Sequence, residues 1–239
     1  MRLLVIIPAY NEQQSILKTV NNLTSTVLPD DLELDYLVIN DGSTDNTLSI
    51  LSENKLKYVN LPMNLGIGGA MQTGYLYARQ NGYDIAVQLD GDGQHNPEYI
   101  EKLVRPLIDG QTDMTIGSRF IEKEGFQSTE MRKLGIKFLS ASIKLFSGVR
   151  ITDVTSGFRA CNKHLIRFFS EHYAEDYPEP EAIISVMKNG YRIQEVPVMM
   201  NERQGGTSSI SGFKAVYYMI KVELALVIQA LRKKEKKTS

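Results

Sequence analysis

Ile85-Ala86-Val87-Gln88-Leu89-Asp90-Gly91-Asp92-Gly93-Gln94-His95 starts as a short apolar run and ends in a Gly-rich acidic turn. A run of this length bounded by turn residues reads as a buried strand, which puts Asp90 and Asp92 at its carboxyl end. At ~4 Å and an effective dielectric of ~20, two like charges repel by about 4 kcal/mol. Either one carboxyl takes up a proton or a cation neutralises both. Oxygen ligands from Asp90, Asp92 and, as a third, Gln94 suit a hard ion such as Mg2+ or Mn2+, which keeps open positions for substrate phosphates. A diphosphate is therefore the first ligand expected. The competing reading is a turn whose Asp side chains only hydrogen-bond their own backbone.

Around this stretch, short β-branched runs alternate with longer helical patterns, which predicts an α/β fold. Strands are expected at residues 3–7, 34–39, 57–61, 85–89, 114–116 and 192–198, and helices at 12–23, 44–51, 67–81, 97–109 and 131–146. Asn96 is a helix cap with Pro97 at the first position, and Asn81-Gly82 ends the preceding helix. Four polar loops follow the first four strands: Pro8-Ala9-Tyr10-Asn11-Glu12, Asn40-Asp41-Gly42-Ser43-Thr44-Asp45, Asn64-Leu65-Gly66-Ile67-Gly68-Gly69 and Asp90-Gly91-Asp92. In open α/β sheets ligands bind beyond the carboxyl ends of the strands, so the four loops are expected to converge on one ligand. That convergence favours a ligand site over an isolated turn.

Each loop offers its own chemistry. Asp41 lies in an acidic turn where Ser43 or Thr44 can cap a helix, one strand from the diphosphate, where a base or ribose is expected. Asn64 to Ala70 brings backbone N–H groups to a helix start; it is not the dinucleotide fingerprint, because the third glycine would fall at Met71. Cations complete a phosphate site. Arg119 follows the strand ending Ile116-Gly117-Ser118, Arg132 opens a basic amphipathic helix, and Arg203 precedes Gly205-Gly206-Thr207-Ser208-Ser209. Guanidinium groups suit bidentate phosphate contacts. The helix at 131–146 sets Lys133, Lys137 and Lys144 against Leu134, Phe138, Leu139 and Ile143, which fits a membrane surface.

With 27 basic and 28 acidic residues among 239, the chain carries no charge excess that would suit nucleic acid. Its one cysteine, Cys161, permits no intrachain disulfide and belongs to no zinc-like spacing. The N-terminal apolar stretch is too short for a signal peptide, so a cytoplasmic protein is expected. Residues 213–231 are mostly apolar but contain Lys214, Lys221, Glu223 and Gln229, and the chain ends Arg232-Lys233-Lys234-Glu235-Lys236-Lys237 before Thr238-Ser239. These charges argue against a bilayer span. They leave two readings open: an amphipathic helix against the membrane or a partner protein, and a helix packed on its own domain.

The four loops, with Leu89-Asp90-Gly91-Asp92-Gly93-Gln94-His95, Gly117-Ser118-Arg119 and Asp153-Val154-Thr155-Ser156-Gly157-Phe158-Arg159, follow one another over residues 1 to about 210. In that order and combination the chain resembles the inverting family 2 glycosyltransferases of GT-A fold, and among them the dolichol-phosphate and polyprenyl-phosphate sugar transferases. The resemblance implies a Rossmann-like, mostly parallel central sheet flanked by helices. It implies one GT-A domain over 1–210, with a nucleotide-binding half (1–95) and an acceptor half (96–210), then an amphipathic helix and basic tail over 211–239. Pro8, Tyr10, Glu12 and Asp41, with Asn64 and Gly68, would hold the nucleotide-sugar, while Asp90, Asp92 and Gln94 would coordinate Mg2+ or Mn2+ on its diphosphate. Arg119 and Arg132 look like the arginines that grip an acceptor phosphate, and Arg203 like one that reaches a phosphate of the donor. Asp92 and Asp153 look like catalytic carboxylates, Asp153 near the donor sugar.

Two acceptor types remain open, and their chemistry differs. A hydroxyl must lose a proton as it attacks, so it needs a carboxylate base; Glu181 or Asp176, in Glu175-Asp176-Tyr177-Pro178-Glu179-Pro180-Glu181, would serve. A lipid monophosphate, with a second pKa near ~6, is already largely anionic at pH 7 and needs arginines to align it. The Arg119 and Arg132 pair favours the lipid phosphate, undecaprenyl phosphate, with a UDP-hexose (glucose or N-acetylglucosamine) as donor. The chain has no Trp, so it lacks the Gln-x-x-Arg-Trp motif of processive synthases. It also lacks the C-terminal pair of spans of many bacterial relatives. It is similar to compact members that work beside a small membrane protein, which implies peripheral attachment at the inner face of the cell membrane. A homo-oligomer and a non-catalytic nucleotide-sugar-binding subunit remain open alternatives.

Overall fold

The computed structural model describes residues 1–122, 130–201 and 213–232, with side chains described outside 130–132 and 213–219. Strand β1 (Arg2–Ala9) explains the arrangement around it. Leu3, Val5 and Ile7 face one apolar cluster, Leu4 and Ile6 the other, and all five are fully buried. A run with both faces covered is what a central parallel strand requires. Accordingly, β1 pairs in parallel with β2 (Glu33–Asn40) on one side and β4 (Ile85–Gln88) on the other, and β2 pairs in parallel with β3 (Tyr58–Asn60). With β5 (Met114–Ser118), β6 (Arg159–Asn162) and β7 (Ile193–Pro197), the described strands form one seven-stranded sheet of order β3-β2-β1-β4-β6-β5-β7.

Six of these strands lie where the sequence pattern predicts them. The seventh, β6, does not stand out in sequence: Arg-Ala-Cys-Asn has no alternation and opens on a buried arginine. It runs antiparallel to both neighbours, with Gln88 opposite Arg159 and Ile116 opposite Arg159. Because β6 is reversed, the loop that enters it arrives at the same sheet edge as the loops that leave the parallel strands. Cys161 is buried in this strand, and burial raises its thiol pKa, as expected of a packing residue.

Helices α1 (Ile16–Thr24), α2 (Thr47–Glu53) and α4 (Ile100–Ile108) follow the first, second and fourth strands, and α3 (Gly66–Gln80) follows the third. Asn96 accepts from the Glu98 N–H at 3.1 Å and starts a single 3-10 turn, Pro97–Tyr99, that leads into α4. Helix α5 (Glu130–Ser147) is also where expected. Two helices are not predicted by the sequence: α6 (Lys163–Glu171), and α7 (Pro178–Lys188), whose Pro-Glu-Pro-Glu opening reads as a loop although proline suits a first helical turn. Helix α8 (Phe213–Leu231) buries Val222 and Leu226 against α7 and α5, in the cluster that also holds Ile136, Leu139 and Ile183. No described helix is long and apolar enough to cross a membrane.

Candidate active site

The four loops do meet. Pro8, Tyr10, Glu12, Asp41, Asn64, Asp90 and Asp92 line one crevice of about 500 Å3 at the carboxyl ends of β1, β2, β3 and β4, together with Gly66, Ile67 and Glu179. The first two loops are tied to each other. Asn11 adopts a positive φ of 57°, and its Oδ1 accepts from Thr44 N–H at 2.8 Å and Asp45 N–H at 3.3 Å, while its own N–H donates to Ser43 Oγ. Asp45 Oδ1 accepts from Thr47 N–H at 2.9 Å, a turn of the Asx kind directly ahead of α2, which starts at Thr47 rather than Thr44. Gly42 lets the third loop cross: a Cβ there would lie 2.7 Å from the Met63 and Asn64 backbone, and its φ is +64°. Buried Asp41 accepts from Leu65 N–H at 2.7 Å. Its burial raises the carboxyl pKa, against the Leu65 and Gly66 N–H groups that lower it. Gly68 packs against the segment before α7, where a Cβ would meet Ala174 O at 2.1 Å.

Asp92 and Asp90 sit differently. Asp92 is buried, and its Oδ1 accepts from the Gln94 N–H at 3.0 Å, so the turn reading and the crevice reading both hold for it. Thr19 on α1 donates to Gly91 O at 3.1 Å and braces the turn from below. Asp90 is flanked on three sides: Gln88 Nε2 lies 3.3 Å from Oδ1, its own N–H donates to His95 Nδ1 at 3.0 Å, and His95 Nε2 lies 3.6 Å from Oδ2. His95 stacks on Phe158, centroids 4.9 Å apart. An Nδ1 that accepts leaves the proton on Nε2, facing Asp90. Burial pushes the imidazole down to about 4, so it is neutral at pH 7. From the reversed strand's entry loop, Gly157 closes the fourth side: a Cβ there would lie 2.7 and 2.9 Å from the two Asp90 oxygens.

A hard divalent ion fits this donor set. Among the described residues no cluster of three or more His, Cys, Asp or Glu makes an all-protein cage. Mg2+-type sites instead use one or two carboxylates and complete their shell with water and substrate phosphates. Asp90 and Asp92 on a crevice wall meet that requirement. Gln94 is held by its main chain, its N–H on Asp92 and its C=O accepting from Asn201 N–H at 2.8 Å.

Arg119 stands at the end of β5, but it is not presented alone. Its Nε and Nη2 donate to Asp153 Oδ2 and Oδ1, both at 2.7 Å, and its N–H to Oδ2 at 3.2 Å. Asp153 is fully buried and Arg119 nearly so, so Asp153 orients the guanidinium. Glu195 on β7 holds the Asp153 loop in turn, accepting from Thr152 N–H, Thr152 Oγ1 and Asp153 N–H, each at 2.8 Å. Arg159 donates to the carbonyls of Ser156, Val154 and Glu179, and so fixes the same loop and the start of α7. Of the acidic segment, Glu179 enters the crevice. Burial raises its carboxyl pKa, Arg159 opposing and the Asp90 charge adding. Glu181 instead lines a separate cavity of about 220 Å3 beside α6 and α8, and Asp176 is exposed. The side chain of Arg132, in the first turn of α5, and the whole of Arg203 lie outside the described residues; Asn201 anchors the chain at Gln94 just before the latter. Of the groups around the crevice, His95, Gly157 and Glu195 have no role assigned from sequence, although His95 ends the stretch from Ile85, and Glu179 belongs to the acidic segment whose roles the sequence leaves open.

The sequence model of the family described as Glycosyl transferase family 2 matches residues 4–170. The chain is 32% identical to the UDP-N-acetylglucosamine–dolichyl-phosphate N-acetylglucosaminyltransferase of Methanococcus voltae over 94% of its own length and 97% of that protein's. It is 29% identical to the undecaprenyl-phosphate mannosyltransferase of Micrococcus luteus, covering 89% and 88% of the two chains. Among solved structures, glucosyl-3-phosphoglycerate synthase of Mycobacterium tuberculosis, crystallised with Mn2+, UDP-glucose and phosphoglyceric acid, superposes with a TM-score of 0.69 at 20% identity, over 96% of this chain and 79% of that one.

Proposed function

The chain belongs to glycosyl transferase family 2, a glycosyltransferase of GT-A fold, and on that premise we propose that it moves a hexose from a UDP-sugar to a polyprenyl phosphate such as undecaprenyl phosphate. The observation that carries this reading is the pair Asp90 and Asp92 on the wall of the crevice where four loops converge. Pro8, Tyr10, Glu12, Asp41, Asn64 and Gly68 belong to the loops that would enclose the nucleoside. Asp90, Asp92 and Gln94 would hold Mg2+ or Mn2+, which when bound neutralises the diphosphate and favours its departure. Relatives that act on dolichyl or undecaprenyl phosphate support the acceptor class.

The residues of the chain then divide the work. Asp153 and Glu195 keep the Arg119 guanidinium oriented, so Arg119, with Arg132, can align an anionic phosphate without reorganising. A lipid phosphate needs no proton removed before it attacks, and in-line attack on the anomeric carbon inverts its configuration. Arg203 would reach the donor phosphates. Glucose and N-acetylglucosamine are the donor sugars we favour, and we place the protein at the inner face of the membrane, beside a small integral membrane partner.

A donor screen tests this. Release of UDP from UDP-glucose or UDP-N-acetylglucosamine with Mn2+ should rise when undecaprenyl phosphate is added and disappear on adding EDTA; product formed on a saccharide alone would overturn it. A second reading, transfer to a hydroxyl, is favoured by one feature: Glu179 lies in the crevice with a raised pKa. There the base would be Glu179 rather than Glu181 or Asp176. Glu179→Gln should leave transfer to lipid phosphate within roughly tenfold, whereas loss of a general base costs about a hundredfold or more.

A further inference from the structure

Helices α5 and α8 are unusual in being apolar on the side away from the core. On α5, Ile136, Leu139 and Ile143 are buried, yet Leu134, Phe138 and Leu145 on the opposite face are 58–80% exposed. Their spacing of four and seven residues makes a single stripe. On α8, Val222 and Leu226 are buried while Ile220, Leu224 and Leu231, again four and seven apart, are 60–79% exposed. The two helices pack on each other and both pack on α7, so the stripes belong to neighbouring elements. Apolar area of this kind, concentrated on neighbouring elements, marks an interaction surface.

Charge identifies what covers it. Residues 130–150 carry five basic and one acidic residue, α8 itself (213–231) two basic and one acidic, and the following residues 232–239 five basic and one acidic, in a chain whose totals are 27 and 28. Twelve of the 27 basic residues but only three of the 28 acidic ones thus belong to α5, α8 and the residues that directly follow them, with Lys137 and Lys144 along one flank of the α5 stripe. A second copy would bring the same excess of positive charge against itself. An apolar face with a basic flank suits the boundary between acyl chains and anionic headgroups. We propose that α5 and α8 together form a monotopic docking surface for an anionic lipid bilayer, with Phe138, Leu145, Leu224 and neighbouring side chains entering the acyl boundary. The inference rests on the proposed lipid-phosphate acceptor, which the same bilayer would supply.

The test is co-sedimentation of the full chain with vesicles of phosphatidylglycerol and phosphatidylcholine in equal parts, and with phosphatidylcholine alone. Wild type should pellet with the anionic vesicles. Phe138→Glu/Leu145→Glu and Leu224→Glu/Ile228→Glu should each reduce partition roughly tenfold or more, with thermal melting near wild type confirming that each variant folds. Unchanged partition in the first variant overturns the role of α5, and unchanged partition in the second that of α8. Equal binding to neutral vesicles overturns the choice of an anionic surface. A wild-type dimer, seen by light scattering and abolished by the same substitutions, overturns the bilayer in favour of a second copy. Transfer to a short, water-soluble polyprenyl phosphate separates this from the proposed function. If that transfer is intact without vesicle binding, the docking surface fails alone; if it is absent while vesicles bind, the acceptor assignment fails alone.

Discussion

At the residue scale, Asp90 and Asp92 are legible from sequence because two carboxylates after a buried strand pose an electrostatic problem that needs a solution. The groups that solve the geometry are not legible, because their positions come from tertiary approach. Gly157 is one of many glycines until its α-carbon is seen against the Asp90 carboxylate. Gly157→Ala should therefore displace Asp90 and weaken Mn2+-dependent UDP binding by roughly tenfold, the loss expected when one contact of a divalent site is misplaced, measurable by titration calorimetry. The family resemblance makes Arg119 a phosphate ligand and Asp153 a carboxylate near the sugar; the structure joins them in one buried pair. Removing one partner of such a pair leaves the other charge uncompensated, so Asp153→Ala should lower unfolding free energy by about 3–5 kcal/mol in urea titrations. A loss below about 1 kcal/mol would mean that water reaches the guanidinium.

At the element scale, the sequence pattern locates six of the seven described strands and helices α1 to α5 to within a few residues, yet misses α6 although the Asn162 side chain caps it. The failures have physical causes. Strand β6 is four residues long and begins with an arginine that three carbonyls satisfy, a solution invisible to hydrophobic periodicity. Helix α7 opens Pro-Glu-Pro-Glu, and only its packing between α5 and α8 reveals a helix. Helix α8 packs on its own domain on one side, one of the two readings that the sequence leaves open, and is exposed on the other. Deleting residues 213–239 would uncover the partners of Val222 and Leu226, so the truncated chain should aggregate on expression rather than remain as soluble, released enzyme; gel filtration decides. Lys188 on α7 donates to the carbonyls of Gln229, Ala230 and Arg232 at the end of α8. Lys188→Met removes that cation from a helix C-terminus and should cost about 1–2 kcal/mol in thermal or urea unfolding.

At the scale of the whole molecule, near-neutral net charge conceals an excess of basic residues over residues 130–150 and 232–239, ten basic against two acidic. If that excess holds the protein on anionic bilayers, raising salt from about 0.1 to about 0.5 M, which shortens the Debye length well below ~10 Å, should reduce vesicle partition while leaving UDP affinity nearly unchanged. Flotation assays with a parallel nucleotide titration check both. The reversed strand β6 has a consequence for how the chain comes to life. Asp90 and Asp92 leave the ribosome early, but the loop bearing Gly157 and the strand that pairs with β4 follow only when about two-thirds of the chain has been made. During that interval, seconds long at ~5–20 residues per second, the nascent protein carries its acidic pair without the wall that positions it, and the crevice is complete only late in translation.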